Sequence, residues 1–115
     1  MQRSARHISS LTDIEQAVAV GKAAVKLAAE GKSGVMPVIK RISDSPYEWS
    51  ISEGDLNEIA NEEKTLPKHF ISSDGFGITK AGRDYLQPLI EGESFPKFNN
   101  GIPIYEGLDL HLRKI

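Results

Sequence analysis

The 115-residue chain has no cysteine, one tryptophan, two methionines and no long apolar run. Without thiols it can form no disulfide, bind no iron–sulfur cluster and perform no thiol catalysis. A reducing compartment, the cytoplasm, is the expected setting. The start, Met1-Gln2-Arg3-Ser4-Ala5-Arg6-His7, is basic like the first part of a signal peptide. The ~7–15 apolar residues that should follow in such a peptide are missing. No stretch approaches the ~20 apolar residues needed to span a bilayer, so no membrane partner is expected. An excess of one charge is missing too: fourteen Lys and Arg face sixteen Asp and Glu, for a formal charge of −2. No basic run is long enough to follow a nucleic-acid backbone, which argues against nucleic acid as a partner. The length fits one small domain, able to bury roughly two-thirds of its unfolded surface.

What is present reads as helices and a hairpin. A helix is predicted from about Asp13 to Glu30, opened by the capping box Thr12-Asp13-Ile14-Glu15 and closed at Gly31. Ile14, Val18, Gly21, Val25 and Ala28 recur at helical spacing as its expected inner face, widened by Ala17, Val20, Ala24 and Leu27. Glu15, Lys22, Lys26 and Glu30 form the polar stripe. Its many Ala and Gly positions suit close packing on a sheet. Val35–Ile42 reads as a strand in which Pro37 marks an edge or an entry point. After the turn Ser43-Asp44-Ser45-Pro46, Tyr47, Trp49 and Ile51 alternate with Glu48 and Ser50, predicting a second strand and a hairpin. Asp55-Leu56-Asn57-Glu58 opens a short helix through Ala60. Thr79 caps a helix to about Glu91, with Ala81, Tyr85, Leu86, Leu89 and Ile90 inward and a kink at Pro88.

Several local patterns resemble chemistry and fail on inspection. Gly21-Lys22 and Gly31-Lys32-Ser33 end like a phosphate loop, but the required earlier glycine is Gln16 in one case and Lys26 in the other. Gly75-x-Gly77 begins a dinucleotide fingerprint whose third glycine position is Lys80. His7, His69 and His111 lack metal-ligand spacing. Glu62-Glu63 reads as a solvated face, and Tyr47 and Trp49 as packing. The cluster Arg3, Arg6 and His7 stands apart. A basic terminus is ordinarily solvated, yet arginine is the natural residue for gripping phosphate through two parallel hydrogen bonds.

Five peptides in chain order carry a family resemblance. They are Gln2-Arg3-Ser4-Ala5-Arg6-His7, Val20-Gly21-Lys22-Ala23-Ala24-Val25, Val35-Met36-Pro37-Val38-Ile39-Lys40-Arg41, Ala60-Asn61-Glu62-Glu63-Lys64 with Leu66-Pro67, and Asp74-Gly75-Phe76-Gly77-Ile78-Thr79. Together, from Gln2 to about Tyr105, they resemble the C-terminal part of 6-phosphofructokinases, most of all the bacterial diphosphate-dependent branch. The resemblance implies an α/β phosphofructokinase-like fold, a few helices on a small sheet containing a hairpin. Residues 1–92 would be part of the C-terminal, substrate domain, and 93–115 an irregular tail.

Such enzymes move a phosphoryl group from diphosphate or ATP to fructose 6-phosphate in glycolysis, with magnesium. By the resemblance, Arg3 would bind the 6-phosphate of the sugar. The aromatic or histidine partner of that motif would fall three residues earlier, before Met1. The family's Gly-Gly-Asp donor site, Thr-Ile-Asp catalytic motif and Met-Gly-Arg substrate motif are absent from the sequence. The chain is therefore expected to act as a fragment: no catalytic or metal-binding residue, no cofactor of its own, and no turnover alone. Its expected partners are fructose 6-phosphate at a partial site, and the remainder of the phosphofructokinase or a second copy of itself. The alternative is a non-catalytic ligand-binding or oligomerisation module of the same ancestry.

Overall fold

The computed structural model describes residues 9–104. Helix α1 spans Leu11–Ala29. Its N-cap is Ser10, whose hydroxyl oxygen accepts from the Asp13 amide at 3.1 Å. Thr12, the residue the capping pattern favours, is instead drawn to a distant segment: its amide and its hydroxyl both donate to the Glu91 carbonyl. The C-terminus closes as a Schellman motif, with Gly31 N–H on the Ala28 carbonyl and Lys32 N–H on Leu27, both at 3.0 Å. Gly31 makes this possible by adopting φ of 73°, where a side chain would be strained.

Strands β1 (Val35–Asp44) and β2 (Tyr47–Asp55) form an antiparallel hairpin around the pair Ile39↔Ile51. The register slips between Arg41 and Ser43, leaving Ile42 as the extra residue of a bulge. Among the described residues the sheet has only these two strands, so each has one edge open there and the missing N–H of Pro37 is tolerated. The short helix α2 (Leu56–Ile59) follows at once, capped by the Asp55 carboxylate on the Asn57 amide.

The second half is thinner. A 3-10 turn at Lys68–Phe70 leads to α3 (Lys80–Leu86), capped by Thr79. The helix gives way to a second 3-10 turn at Gln87–Ile90, where Pro88 interrupts it as its chemistry predicts. Strands β3 (Phe98–Asn99) and β4 (Ile102–Pro103) then make a minimal hairpin. Its turn is Asn100-Gly101, both at positive φ, the pairing favoured in two-residue hairpin turns.

Among the described residues the halves meet at the start of α1 and at Arg41. Ser10 Oγ donates to the Leu89 carbonyl at 2.7 Å, and Leu11 N–H donates to Gly92 at 3.0 Å. Gly92 sits at φ of 79°, and a side chain there would collide with Leu11. The second contact is the Arg41 cluster described below.

The core is small. Leu27, 9% exposed, is the one buried apolar side chain among the described residues, beside buried Gln16 and Gly82. The face of α1 that packs carries Gln16, Val20, Ala23 and Leu27, while Val18, Gly21, Val25 and Ala28 face outward. The expected inner face of the helix is thus only partly the observed one. Its apolar arc is wider than a two-stranded hairpin can cover. Gly21 is the clearest case: a Cβ there would meet nothing within 4 Å. A glycine inside a helix costs about 1 kcal/mol relative to alanine, and no contact among the described residues uses the space it leaves.

The chain exposes 10216 Å². A compact protein of 12.6 kDa would expose about 6,200 Å² by the usual scaling with mass. Even the fully unfolded area of the 19 residues outside the described range, about 3,000 Å², falls short of that surplus.

Candidate functional site

Arg3, with Arg6 and His7, lies outside the described residues. The structure does describe the point from which that peptide departs. Ser9 and Ser10 lead into α1, and Ser10 is held three ways: by the Asp13 amide, by the Leu89 carbonyl and by a bridge to Glu93. The entry to the helix is therefore fixed against residues 89–93.

His111 also lies outside the described residues, and the candidates within them pack or pair with neighbours. His69 packs edge-on against Phe70 at 4.5 Å, and its carbonyl accepts from the Thr79 hydroxyl. Lys32, from the failed phosphate-loop pattern, pairs with Glu53 and, at 3.8 Å, with Glu30. The hydrogen bond to Glu53 holds its ammonium pKa above the ordinary value. Gly75-Phe76-Gly77 forms a tight turn around Asp74, with Phe76 97% exposed at its tip. The Ser72 hydroxyl donates to the Asp74 carboxylate and accepts from the Gly77 amide. The Asp74 carboxyl is held below the ordinary carboxylate range, first by Ser72 and then by the Phe76 amide. Tyr47 packs as expected, and its hydroxyl accepts from Gln16 Nε2 at 2.6 Å.

Sequence reasoning missed Arg41. Its guanidinium lies between the rings of Tyr47 and Tyr85, 4.8 and 4.5 Å from their centroids. Nε donates to Asp44 and Nη1 to the Tyr85 carbonyl at 2.8 Å. Nη2 is buried without a hydrogen-bond acceptor. The local sequence gave no signal, because the two rings come from six and forty-four positions further along the chain.

Open grooves lie on the surface of the described residues. A groove of ≈ 460 Å³ between α1 and β2 is floored by Ala23, Leu27 and Ile51 and rimmed by Lys26, Glu30 and Glu53. Another, ≈ 480 Å³, runs from Lys64 past Leu66 and Pro67 to Phe70 and Tyr85. A third, ≈ 380 Å³, adjoins the Arg41 cluster at Asp44, His69 and Asp84. Two carboxylates line the first groove, Glu30 and Glu53, and both pair with Lys32; two line the third, Asp44 and Asp84. Asp44, Asp55, Asp74 and Asp84 are each tied to a neighbouring donor. Among the described residues no group of three His, Asp or Glu is arranged to hold a metal ion, so they do not fit a magnesium site. No helix among them is long and apolar enough to cross a membrane.

No family model matches the chain. Whole-protein comparisons are informative. The pyrophosphate--fructose 6-phosphate 1-phosphotransferase of Methylococcus capsulatus is 60% identical over 105 residues, which cover 91% of this chain and 25% of that protein. The proteins of the same name from Halomonas elongata and Xanthomonas campestris pv. campestris are 53% and 51% identical, over 96% and 94% of the chain and 26% of each relative. In structure, the pyrophosphate-dependent phosphofructokinase of Marinobacter aquaeolei superposes with a TM-score of 0.84 at 55% identity, over 97% of this chain and 30% of its own. That of Nitrosospira multiformis gives 0.85 at 53%, over 91% and 26%. The chain spans about a quarter of the length of the curated relatives it matches. In sequence and in fold alike, it corresponds to one portion of the pyrophosphate-dependent phosphofructokinases, the branch its five peptides resemble.

Proposed function

We propose that the chain serves as the C-terminal portion of a cytoplasmic 6-phosphofructokinase that takes its phosphoryl group from diphosphate. In this reading residues 1–92 complete the substrate domain, 93–115 form a tail, and Arg3 grips the 6-phosphate of fructose 6-phosphate. The observation that carries it is the 60% identity over 105 residues to an enzyme named for that reaction. The chemistry of Arg3 supports it, since a planar guanidinium can meet two phosphate oxygens at once. The fixed entry to α1 supports it as well. A peptide leading out of an anchored Ser10 loses less freedom when it closes on a ligand.

Turnover is not proposed for the chain alone. Phosphoryl transfer relies on a donor cradle, metal ions and a base acting together, and one arginine supplies none of these. A coupled assay with fructose 6-phosphate, magnesium and either diphosphate or ATP should detect no activity from the purified 115-residue chain. Clear activity would refute this reading. When the chain replaces the matching quarter of the Methylococcus relative, activity should return. Arg3→Ala should then lower kcat/KM for fructose 6-phosphate by about 10- to 100-fold, the scale of a lost hydrogen bond to a charged group. An unchanged kcat/KM would remove Arg3 from the site.

A further inference from the structure

We propose that the outward face of α1, marked by Val18, Gly21, Val25 and Ala28, is where the rest of a phosphofructokinase polypeptide packs, with Gly21 at the point of closest approach. The inference rests on the reading that the chain works as part of a longer enzyme.

Three observations lead to it. Val25 is 71% exposed and Val18 50%, although they recur at helical spacing with the small residues Gly21 and Ala28, and Lys22 flanks them on one side. A helix that is apolar on two faces is one buried on two faces. The hairpin covers the face carrying Val20, Ala23 and Leu27, and no other described residue covers the opposite one. Second, Gly21 is a helix-interior glycine with open space where its side chain would be. Such a residue weakens the helix and has no packing partner among the described residues, but it lets a backbone or a bulky side chain from elsewhere come close.

The third observation identifies the occupant. The same conformation recurs inside chains of which it forms only 30% and 26%. The occupant expected is a largely apolar layer of the same enzyme against Val18 and Val25, with a polar rim where Lys22 flanks them.

The test compares Gly21→Leu in two settings: the isolated chain, and the chimera in which the chain replaces the matching quarter of the Methylococcus relative. In the isolated chain leucine meets no described residue and is a better helix former, so helicity by circular dichroism should rise or hold. In the chimera it should lower the melting temperature by several degrees or prevent soluble expression, with Gly21→Ala in between. A Gly21→Leu chimera that melts at or above its parent overturns the proposal.

If the parent chimera is itself insoluble, the chain and the relative lacking that quarter can be co-expressed. Co-purification weakened at least tenfold by Gly21→Leu supports the face, and unchanged or absent co-purification overturns it. A dimer of the isolated chain that Gly21→Leu disperses would assign the face to a second copy, which also overturns it. None of these readouts uses substrate. A stable chimera without activity therefore counts against the Arg3 reading and leaves the docking face standing.

Discussion

Arg41 connects parts of the chain that the backbone alone leaves loosely joined. Its position in β1 places the guanidinium over Tyr47 across the hairpin and under Tyr85 from α3, with a hydrogen bond to the Tyr85 carbonyl. A desolvated cation–π contact contributes about 2 kcal/mol, and a charged hydrogen bond is of similar size. Arg41→Ala should therefore destabilise the fold by about 2–4 kcal/mol and speed amide exchange in α3 before α1. Arg41→Lys should recover less than half, because an ammonium cannot stack flat between two rings while donating sideways. Equal exchange in α3 for wild type and Arg41→Ala would show that the halves are held without it. The residue also marks what was hidden in the sequence. Lys40-Arg41 sits in a run whose β-branched neighbours announce a strand, and nothing nearby announces two aromatic partners.

Among the elements, those defined by local chemistry were readable and those defined by distant contacts were not. The hairpin, the Asp55 and Thr79 caps, the Gly31 stop and the break at Pro88 all follow from residues within a few positions. The start of α1 does not. Ser10 and Thr12 are both good caps, and the choice falls to Ser10 because residues 91–92 occupy the amides of Leu11 and Thr12. Which face of α1 is buried was equally out of reach, since both faces are apolar and only the width of the hairpin decides between them. The turn at Ser72–Gly77 gives a prediction at this scale. The Asp74 carboxylate accepts from Ser72 and Phe76, and its pKa is lowered. A lowered pKa means the charged form is favoured in the folded turn. Its contribution is thus complete above the ordinary carboxylate range and is lost as pH falls through the lower, folded value. Exchange of the Phe76 and Gly77 amides should accelerate across that acidic window in wild type and stay level in Asp74→Asn. The same pH profile in both proteins would clear Asp74 of the role.

For the molecule as a whole, the ratio of surface to mass governs behaviour. Unfolding the chain uncovers only about two-thirds of the area that a compact protein of this size would uncover. The urea m value should be about two-thirds of that expected for 115 residues, and a dye that reports apolar surface should bind the native chain. A steep transition without dye binding would mean that the chain closes its own core.

The seam between Leu11 and Gly92 constrains how such a polypeptide can be made. Two of the earliest helical amides wait for carbonyls some eighty positions later, a long loop that is closed late and slowly. During synthesis the leading end of α1 must emerge with those amides still on water. The helix can therefore be anchored there only after translation has passed Gly92.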